Sequence, residues 1–251
     1  MNERQLEGRR ALVTGASSGL GRHFARVLAA AGAQVVLAAR REDALKQLAE
    51  EIVSEFRVAA VPVTLDVTDG ESVRSAVEQA GDIDILVNNA GVSKAMGILD
   101  YEEGDFDFIM DANLRGAFLV ATAAARGMRD RGKGGAIVNV ASILGLRQGG
   151  QLAAYAMSKA GVVQMTRQMG LELARYGIRV NALAPGYFST EMNSDFLASP
   201  AGEAMAKRIP QRRFGEFADL DGPFLLLCSD ASRYMTGVVI PVDGGHVISS
   251  L

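Results

Sequence analysis

Cysteine and histidine are almost missing from this chain of 251 residues, which carries one Cys, Cys228, and two His, His23 and His246. A single thiol excludes an intramolecular disulfide. Cys228 closes the apolar run Leu225-Leu226-Leu227-Cys228, where it reads as a small buried hydrophobe. With no His/Cys cluster and no paired-ligand helix motif, no metal site is expected. Charge of one sign is also scarce: 26 basic against 29 acidic residues leave a net charge of −3. That field is too weak to hold a phosphate backbone, so nucleic acid is not an expected partner. No apolar run reaches the roughly 20 residues of a membrane helix, and Met1 to Arg10 lacks the apolar core of a signal peptide. The expectation is a cytoplasmic protein with no membrane partner. Pro/Gly/Ser linkers, repeats and low-complexity tracts are missing too, which favours one domain over residues 1–251.

What is present is an alternation of short β-branched runs with longer amphipathic segments. Strands are expected at Ala11–Thr14, Gln34–Ala38, Val58–Val63, Ile83–Val87, Ala136–Val140, Val180–Leu183 and Val238–Val242. Helices are expected near Leu20–Ala31, Glu42–Ser54, Gly70–Ala80, Asn113–Asp130, Ala153–Tyr176 and Asp219–Cys228, the second with Ala44, Leu45, Leu48, Ala49 and Ile52 at helical spacing. Strands apolar on both faces and separated by helices predict an α/β fold. Its sheet is seven-stranded, parallel, doubly wound in the Rossmann manner and covered by helices on both faces. Tyr187–Phe217 fits no strand and mixes polar, apolar and turn-forming residues. A long irregular segment in such a domain is usually functional, and this one reads as a substrate lid.

The turn Thr14-Gly15-Ala16-Ser17-Ser18-Gly19-Leu20-Gly21 leaves the first strand and opens the first helix. Glycine permits the tight bend and the close approach of a phosphate, and the helix N-terminus supplies free N–H groups. Gly15, Ser17, Ser18, Gly19, Leu20 and Gly21 are therefore candidate diphosphate-binding residues, although the Gly-x-x-x-Gly-x-Gly spacing is not the general Gly-x-Gly-x-x-Gly fingerprint. The second strand ends at Ala38-Ala39-Arg40-Arg41, about 20 residues on, where such folds read the adenosine ribose. A carboxylate there would repel a 2′-phosphate, whereas guanidinium forks suit one. Arg40 and Arg41 point to NADP(H), with NAD(H) the alternative; pairing with Glu42 or Asp43 would make them ordinary surface charges.

Tyr155 and Lys159 stand four apart and share a face of the expected helix. A phenol titrates near 10, too high for a base at neutral pH, and an ammonium beside it is expected to lower that value. Tyr155 then gives a proton to a developing alkoxide or takes one from an alcohol. Ser142 lies just past the fifth strand, where open α/β sheets place ligands, and its hydroxyl suits a substrate oxygen. A serine-hydrolase elbow is absent, and both histidines read as structural or solvated.

Together, Thr14–Gly21, Asn88-Asn89-Ala90-Gly91, Ser142, Tyr155-Ala156-Met157-Ser158-Lys159, Pro185-Gly186 and Val242-Asp243-Gly244-Gly245 resemble the short-chain dehydrogenase/reductase family, from about Arg9 to about Gly245. The resemblance implies hydride transfer between a nicotinamide and a carbonyl or alcohol, with Asn113, Ser142, Tyr155 and Lys159 as the catalytic set. Lys159 would hold the nicotinamide ribose, and Asn113 a water linking Lys159 to solvent. Asp66 and Val67 would contact adenine. Asn88 and Ala90 would shape the wall under the adenosine ribose, beside Asn89 and Gly91. Pro185, Gly186, Phe188 and Thr190 would flank the nicotinamide. It also implies a homotetramer or homodimer paired through the helices near Asn113–Asp130 and Ala153–Tyr176.

The expected substrate pocket takes in Leu144, Leu146, Gln148, Ser93, Met96 and the lid. Leu144, Tyr187, Phe188, Met192, Phe196 and Leu197 suggest an apolar carbonyl substrate, unless they pack on the protein itself. Within the same class, a 3-oxoacyl thioester reductase would want a basic face such as Lys207, Arg208, Arg212 and Arg213, and a sugar or polyol dehydrogenase is a further alternative. A non-catalytic cofactor sensor has no need of Tyr155 and Lys159. A sugar-nucleotide epimerase usually carries a longer region after the sixth strand.

Overall fold

Short apolar runs bounded by Gly, Asp and Asn become strands in this protein, and the amphipathic stretches between them become the helices that cover those strands. The structure, a computed structural model, describes residues 4–189 and 194–249. In chain order its elements are β1 (Arg10–Thr14), α1 (Gly19–Ala30), β2 (Gln34–Ala39), α2 (Glu42–Phe56), β3 (Ala60–Thr64), α3 (Gly70–Ala80), β4 (Ile85–Asn88), α4 (Glu103–Met110) and α5 (Gly116–Arg131). There follow β5 (Gly135–Val140), α6 (Ala153–Leu173), β6 (Ile178–Pro185), α7 (Ser194–Leu197), α8 (Pro200–Ala206), α9 (Asp221–Cys228) and β7 (Val239–Val242).

Among the described residues, the strands form one seven-stranded sheet in the order β3-β2-β1-β4-β5-β6-β7. Every neighbouring pair is parallel. The expected Rossmann-type sheet is the one observed. Val13 lies in register with Leu37 on one side and Val87 on the other, so β1 is central and buried on both faces. One face is sealed by α1, α2 and α9, where Phe24, Leu28, Leu45, Leu48, Phe224 and Leu227 pack on Val13, Leu37 and Val87. Phe24 and Phe224 stack with ring centroids 4.3 Å apart; burying each such ring contributes roughly 1.5–3 kcal/mol. The other face is sealed chiefly by α3 and α5, through Val73, Ala76, Val120, Ala124 and Met128 on Leu12, Val36, Leu86 and Ile137. The chain builds β2 and β3 on one side of β1 and then returns to β4 on the other. That reversal opens a crevice at the carboxyl ends of the strands.

Several boundaries differ from expectation for local reasons. Helix α2 runs on to Phe56, and Arg57 takes a left-handed φ of 55°, so the third strand starts at Ala60 rather than Val58. It is the sheet edge, where Pro62 is tolerated because no further strand needs its missing N–H. The helix expected at Asn113–Asp130 begins ten residues earlier, at Glu103. Its start is marked by a capping box in which Glu102 and Asp105 bond each other's backbone. The acidic residues Glu102, Glu103, Asp105 and Asp107 obscure that start in a hydrophobic pattern. Between α4 and α5 the chain makes a π turn over Asp111–Arg115, with Gly116 N–H donating to Asp111 O. The continuous segment 103–131 has the length and apolarity of a membrane span, but 50% of that window is buried inside the molecule. It is the helical layer over β4 and β5. Within the expected lid, Phe188 bridges to Gly215, and α8 is started by Ser199, whose hydroxyl accepts from Gly202 N–H at 3.2 Å. Thr190 and Met192 lie outside the described residues.

Candidate active site

The carboxyl ends of β1, β4, β5 and β6 converge on a cleft of about 460 Å³. Thr14 is the last residue of β1, and its hydroxyl oxygen accepts from the N–H groups of Asn89 and Ala90, both at 3.0 Å. The Asn89 amide donates back to Thr14 O at 3.0 Å. These bonds hold the loop after β4 against the glycine turn. Gly15 has φ +67°, a conformation costly for other residues. A Cβ on Gly21 would overlap the Gly15 carbonyl oxygen, so α1 approaches its own turn as closely as a backbone allows. The cap residue Ser18 makes no side-chain bond to the first turn of α1. Its hydroxyl instead accepts from Arg41 Nη2 at 2.7 Å. The first N–H groups of α1 are therefore left for a ligand, which is the chemistry a diphosphate requires.

Arg41 also donates to the Ser17 hydroxyl at 3.2 and 3.3 Å. Glu42, the acid beside it, is taken by Lys46 at 2.7 Å. Among the described residues neither Arg40 nor Arg41 forms an ion pair, so the guanidinium groups at the end of β2 are not neutralised by Glu42 or Asp43. The Asp66 carboxylate accepts from Thr68 N–H at 2.9 Å and from the Thr68 hydroxyl at 2.7 Å. Those bonds hold it below the usual carboxylate range, the hydroxyl bond most and Arg40 least.

At the other end of the cleft, α6 carries Tyr155 and, one turn on, Lys159. The Lys159 ammonium donates to Val140 O at 2.8 Å and lies 5.7 Å from the centre of the Tyr155 ring. Burial lowers its pKa to about 8. Burial also raises the Tyr155 phenol above its ordinary value, and a hydrogen bond with the Ser142 hydroxyl pulls the other way. This corrects the expectation that an adjacent ammonium makes the phenol more acidic. Desolvation dominates, and the lysine is the group brought toward neutrality. The Ser142 hydroxyl oxygen accepts from Leu144 N–H at 3.1 Å, which fixes its rotamer.

Asn113 stands behind this pair, in the π turn. Its amide donates to Val92 O at 2.9 Å and to the Ser158 hydroxyl at 3.0 Å, and its oxygen accepts from Val92 N–H at 2.7 Å. Ser158 in turn donates to Tyr155 O at 2.7 Å. A Cβ placed on Gly91 would lie 3.1 Å from the Asn113 oxygen and 3.6 Å from Lys159 Nζ, so both groups border the same small gap.

Of the residues singled out in the sequence, Gly15, Ser17, Ser18, Gly19, Leu20, Arg40, Arg41, Asp66, Val67, Asn89, Ala90, Gly91, Ser142, Tyr155, Lys159, Pro185, Gly186 and Phe188 line this cleft. Gly21 and Asn113 support its wall from behind. Asn88 does not reach it: its buried amide donates to Ala117 O at 2.7 Å and Asn139 Oδ1 at 3.3 Å, tying β4 to α5 and β5. Thr190 falls outside the described residues. Val92, Thr68, Phe108 and Ala112 also line the cleft and were not anticipated. The capping box before α4 is the signal that would have brought Phe108 near. Leu144 and Leu197 are each 8% exposed and, unlike Phe188, do not line the cleft. They are therefore poor support for an apolar substrate, and the Phe196 side chain is not among the described groups.

Residues 15–247 match the family model described as Enoyl-(Acyl carrier protein) reductase. The chain is similar to the L-rhamnose 1-dehydrogenase (NAD(P)(+)) of Azotobacter vinelandii, 40% identical over 95% of this chain and 96% of that one. It is also similar to the 3-oxoacyl-(acyl-carrier-protein) reductase FabG of Thermotoga maritima, 39% identical over 97% of this chain and 100% of that one. Among solved structures, a gluconate 5-dehydrogenase from Burkholderia cenocepacia in complex with NADP and tartrate superposes with a TM-score of 0.95. It is 38% identical and covers 99% of both chains.

Proposed function

The chain belongs to the short-chain dehydrogenase/reductase family and is an NAD(P)-dependent oxidoreductase acting on CH–OH groups, and we propose that it prefers NADP(H) and works through Asn113, Ser142, Tyr155 and Lys159. When bound, the nicotinamide supplies a hydride to the carbonyl carbon or accepts one from the carbinol. The chain's own residues then handle the oxygen. Ser142 and Tyr155 offer two hydroxyls to it, and Tyr155 donates the proton that turns the developing alkoxide into an alcohol. Oxidation runs the same transfer backward. Lys159, brought down to about 8, is the group beside Tyr155 able to exchange a proton near neutral pH. Both amide hydrogens of Asn113 are engaged, so a water placed between Asn113 and Lys159 would have to donate to an Asn113 oxygen.

The observation that carries the reading is the convergence of Ser142, Tyr155 and Lys159 at one end of a cleft whose other end is an uncapped helix N-terminus beside Arg40 and Arg41. The two arginines without carboxylate partners support the 2′-phosphate. Relatives carrying NAD(P) or NADP in their names are consistent with it. The test follows loss of NADPH and NADH absorbance against ketones, 3-oxoacyl thioesters and oxidised sugars, with Tyr155→Phe alongside. Faster turnover with NADH overturns the preference; turnover unaffected by Tyr155→Phe overturns the site.

The same reading makes residues 1–251 one domain with a lid at about 187–217, in a cytoplasmic homotetramer or homodimer. Support for assembly comes from Phe118 on α5 and Leu171 on α6, 50% and 75% exposed. A monomeric mass by light scattering would sink it. The basic run gives little support to a carrier-protein face. Arg213 is paired with Asp219 at 2.6 Å, and Arg212 is bonded to Lys207 O.

A further inference from the structure

Phe108, in α4, is an apolar ring that stands on the wall of the cofactor cleft and stays half in water. It lines the cleft and is 51% exposed. It joins none of the three buried clusters. Among the described residues it meets no other ring. A lone surface aromatic needs no explanation, but one on the wall of a ligand cleft does.

Two contacts fix which part of the cleft the ring faces. Arg115 Nη1 donates to Thr68 O at 2.9 Å. A Cβ on Gly116 would lie 2.9 Å from Val67 Cβ and from Val67 O. The start of α5 is thus seated on the segment that leaves β3. Residues four apart on a helix share a face, so Gly116, Ala112 and Phe108 form one row that begins on Val67. The wider π turn over Asp111–Arg115 offsets the drift of a four-residue step. Ala112, the middle of the row, also lines the cleft. Asn113, next in the chain, is turned another way, toward Val92 and the gap beside Lys159. Phe108 is therefore on the Val67 side of the cleft, away from Tyr155 and Ser142.

The other walls on that side are Leu65, Asp66 and Val67, with Arg40 at the end. Leu65 and Val67 are apolar, and the Asp66 carboxylate, held ionised by Thr68, is an acceptor between them. Apolar walls with one accepting edge match a flat heteroaromatic base that carries an exocyclic amine. The face α5 and α6 offer for assembly is elsewhere: Leu114 and Phe118 form a groove with Met165 and Met169, and Phe108 is not part of it.

We infer that Phe108 is the stacking residue for the adenine of the cofactor, covering one face of the base while Val67 lies toward the other. This rests on the functional reading above and deepens it, because it names a contact that holds NADPH and NADH alike, whereas Arg40 and Arg41 address only the 2′-phosphate. A phenyl ring on a base gains dispersion and quadrupole attraction beyond the area it covers, and removing such a ring weakens binding about fivefold or more.

The experiment uses the full-length chain with four probes: ADP, NADPH, NADH and inorganic diphosphate, which has no base. The sequence contains no tryptophan, so Phe108→Trp places a single indole at the site. ADP is expected to quench its emission by stacking, and inorganic diphosphate is not. By calorimetry, Phe108→Ala should weaken ADP, NADPH and NADH by one common factor of about fivefold or more, Phe108→Tyr should restore the affinity, and diphosphate should bind within about twofold of wild type. ADP that binds Phe108→Trp without altering its emission overturns the inference. So does a loss confined to NADPH, or an equal loss for diphosphate. A changed mass by light scattering in Phe108→Ala with ADP affinity intact also overturns it, and moves the ring to a contact between copies. None of these readouts needs turnover. Quenching and a base-dependent loss with no hydride transfer to any carbonyl would keep Phe108 on adenine and count against the oxidoreductase reading alone; wild type that binds neither ADP nor NADPH overturns both.

Discussion

The Lys159 ammonium and the carbonyl oxygen of Val140 are 2.8 Å apart, so the last peptide of β5 holds the lysine that α6 presents to the cleft. A neutral acceptor is a weak partner for a buried cation, and the pKa of Lys159 falls to about 8 as a result of burial. Stability follows from that depression. Below about 8 the lysine is protonated in both folded and unfolded states, and the full cost of burying the charge is present. Between about 8 and 10.5 the unfolded chain binds the proton more tightly, so stability rises with pH. Relative to Lys159→Met, the wild type should gain on the order of 3 kcal/mol across that window. Urea unfolding of both proteins from pH 7 to 10.5 measures the difference; a difference that stays flat refutes the assignment.

The same ionisation governs the rate. The Tyr155 phenol is raised by burial, so it stays protonated through neutral pH and is ready to donate. Ketone or oxo-acid reduction should be level at low pH and decline as Lys159 loses its proton near 8. In Lys159→Arg, whose charge does not titrate in this range, the residual activity should lose that decline. A pH profile of kcat/KM for both proteins decides it, and an unchanged break in the variant would assign the ionisation elsewhere.

Arg40→Ala with Arg41→Ala should raise the KM for NADPH by about tenfold to hundredfold, the range of a lost charge-assisted bond, and leave that for NADH within about twofold. Initial rates with each cofactor separate the two. Equal losses would mean that Arg41 acts only by bracing Ser17 and Ser18.

Gly21→Ala adds a methyl group where the Gly15 carbonyl oxygen stands. The turn must move, so cofactor affinity should fall at least tenfold by fluorescence titration, while the far sheet edge keeps its structure. Normal NADPH binding would show that the turn has slack the geometry denies.

Asn88 acts at a distance from the cleft. Asn88→Ala leaves the buried oxygens of Ala117 and Asn139 short of a donor, a loss of about 1–3 kcal/mol. Thermal unfolding should show it as a lower Tm, with the KM for cofactor little altered. A KM effect without a Tm change would return Asn88 to the cofactor wall.

Period and punctuation carried the fold. Val13, Leu37 and Val87 are buried because their runs are apolar in both directions, and that pattern alone requires a sheet covered on both faces. The glycine turn, Ser142, Tyr155 and Lys159 were legible for the same local reason: each sits at a strand end or on one helix face, and spacing reads such positions directly. Asn88 looked like a wall residue and proved to be a strut, because its partners, Ala117 and Asn139, come from other elements. Leu144 and Leu197 looked like substrate lining and are buried outside the cleft, because an apolar residue does not announce which side it faces. What the amino-acid order determined was therefore which residues stand at the carboxyl edge of the sheet. Tertiary structure alone decided the direction of the pKa shifts at Tyr155 and Lys159 and left Arg40 and Arg41 without a carboxylate partner among the described residues. Desolvation and charge pairing depend on distances between segments that only the folded chain brings together.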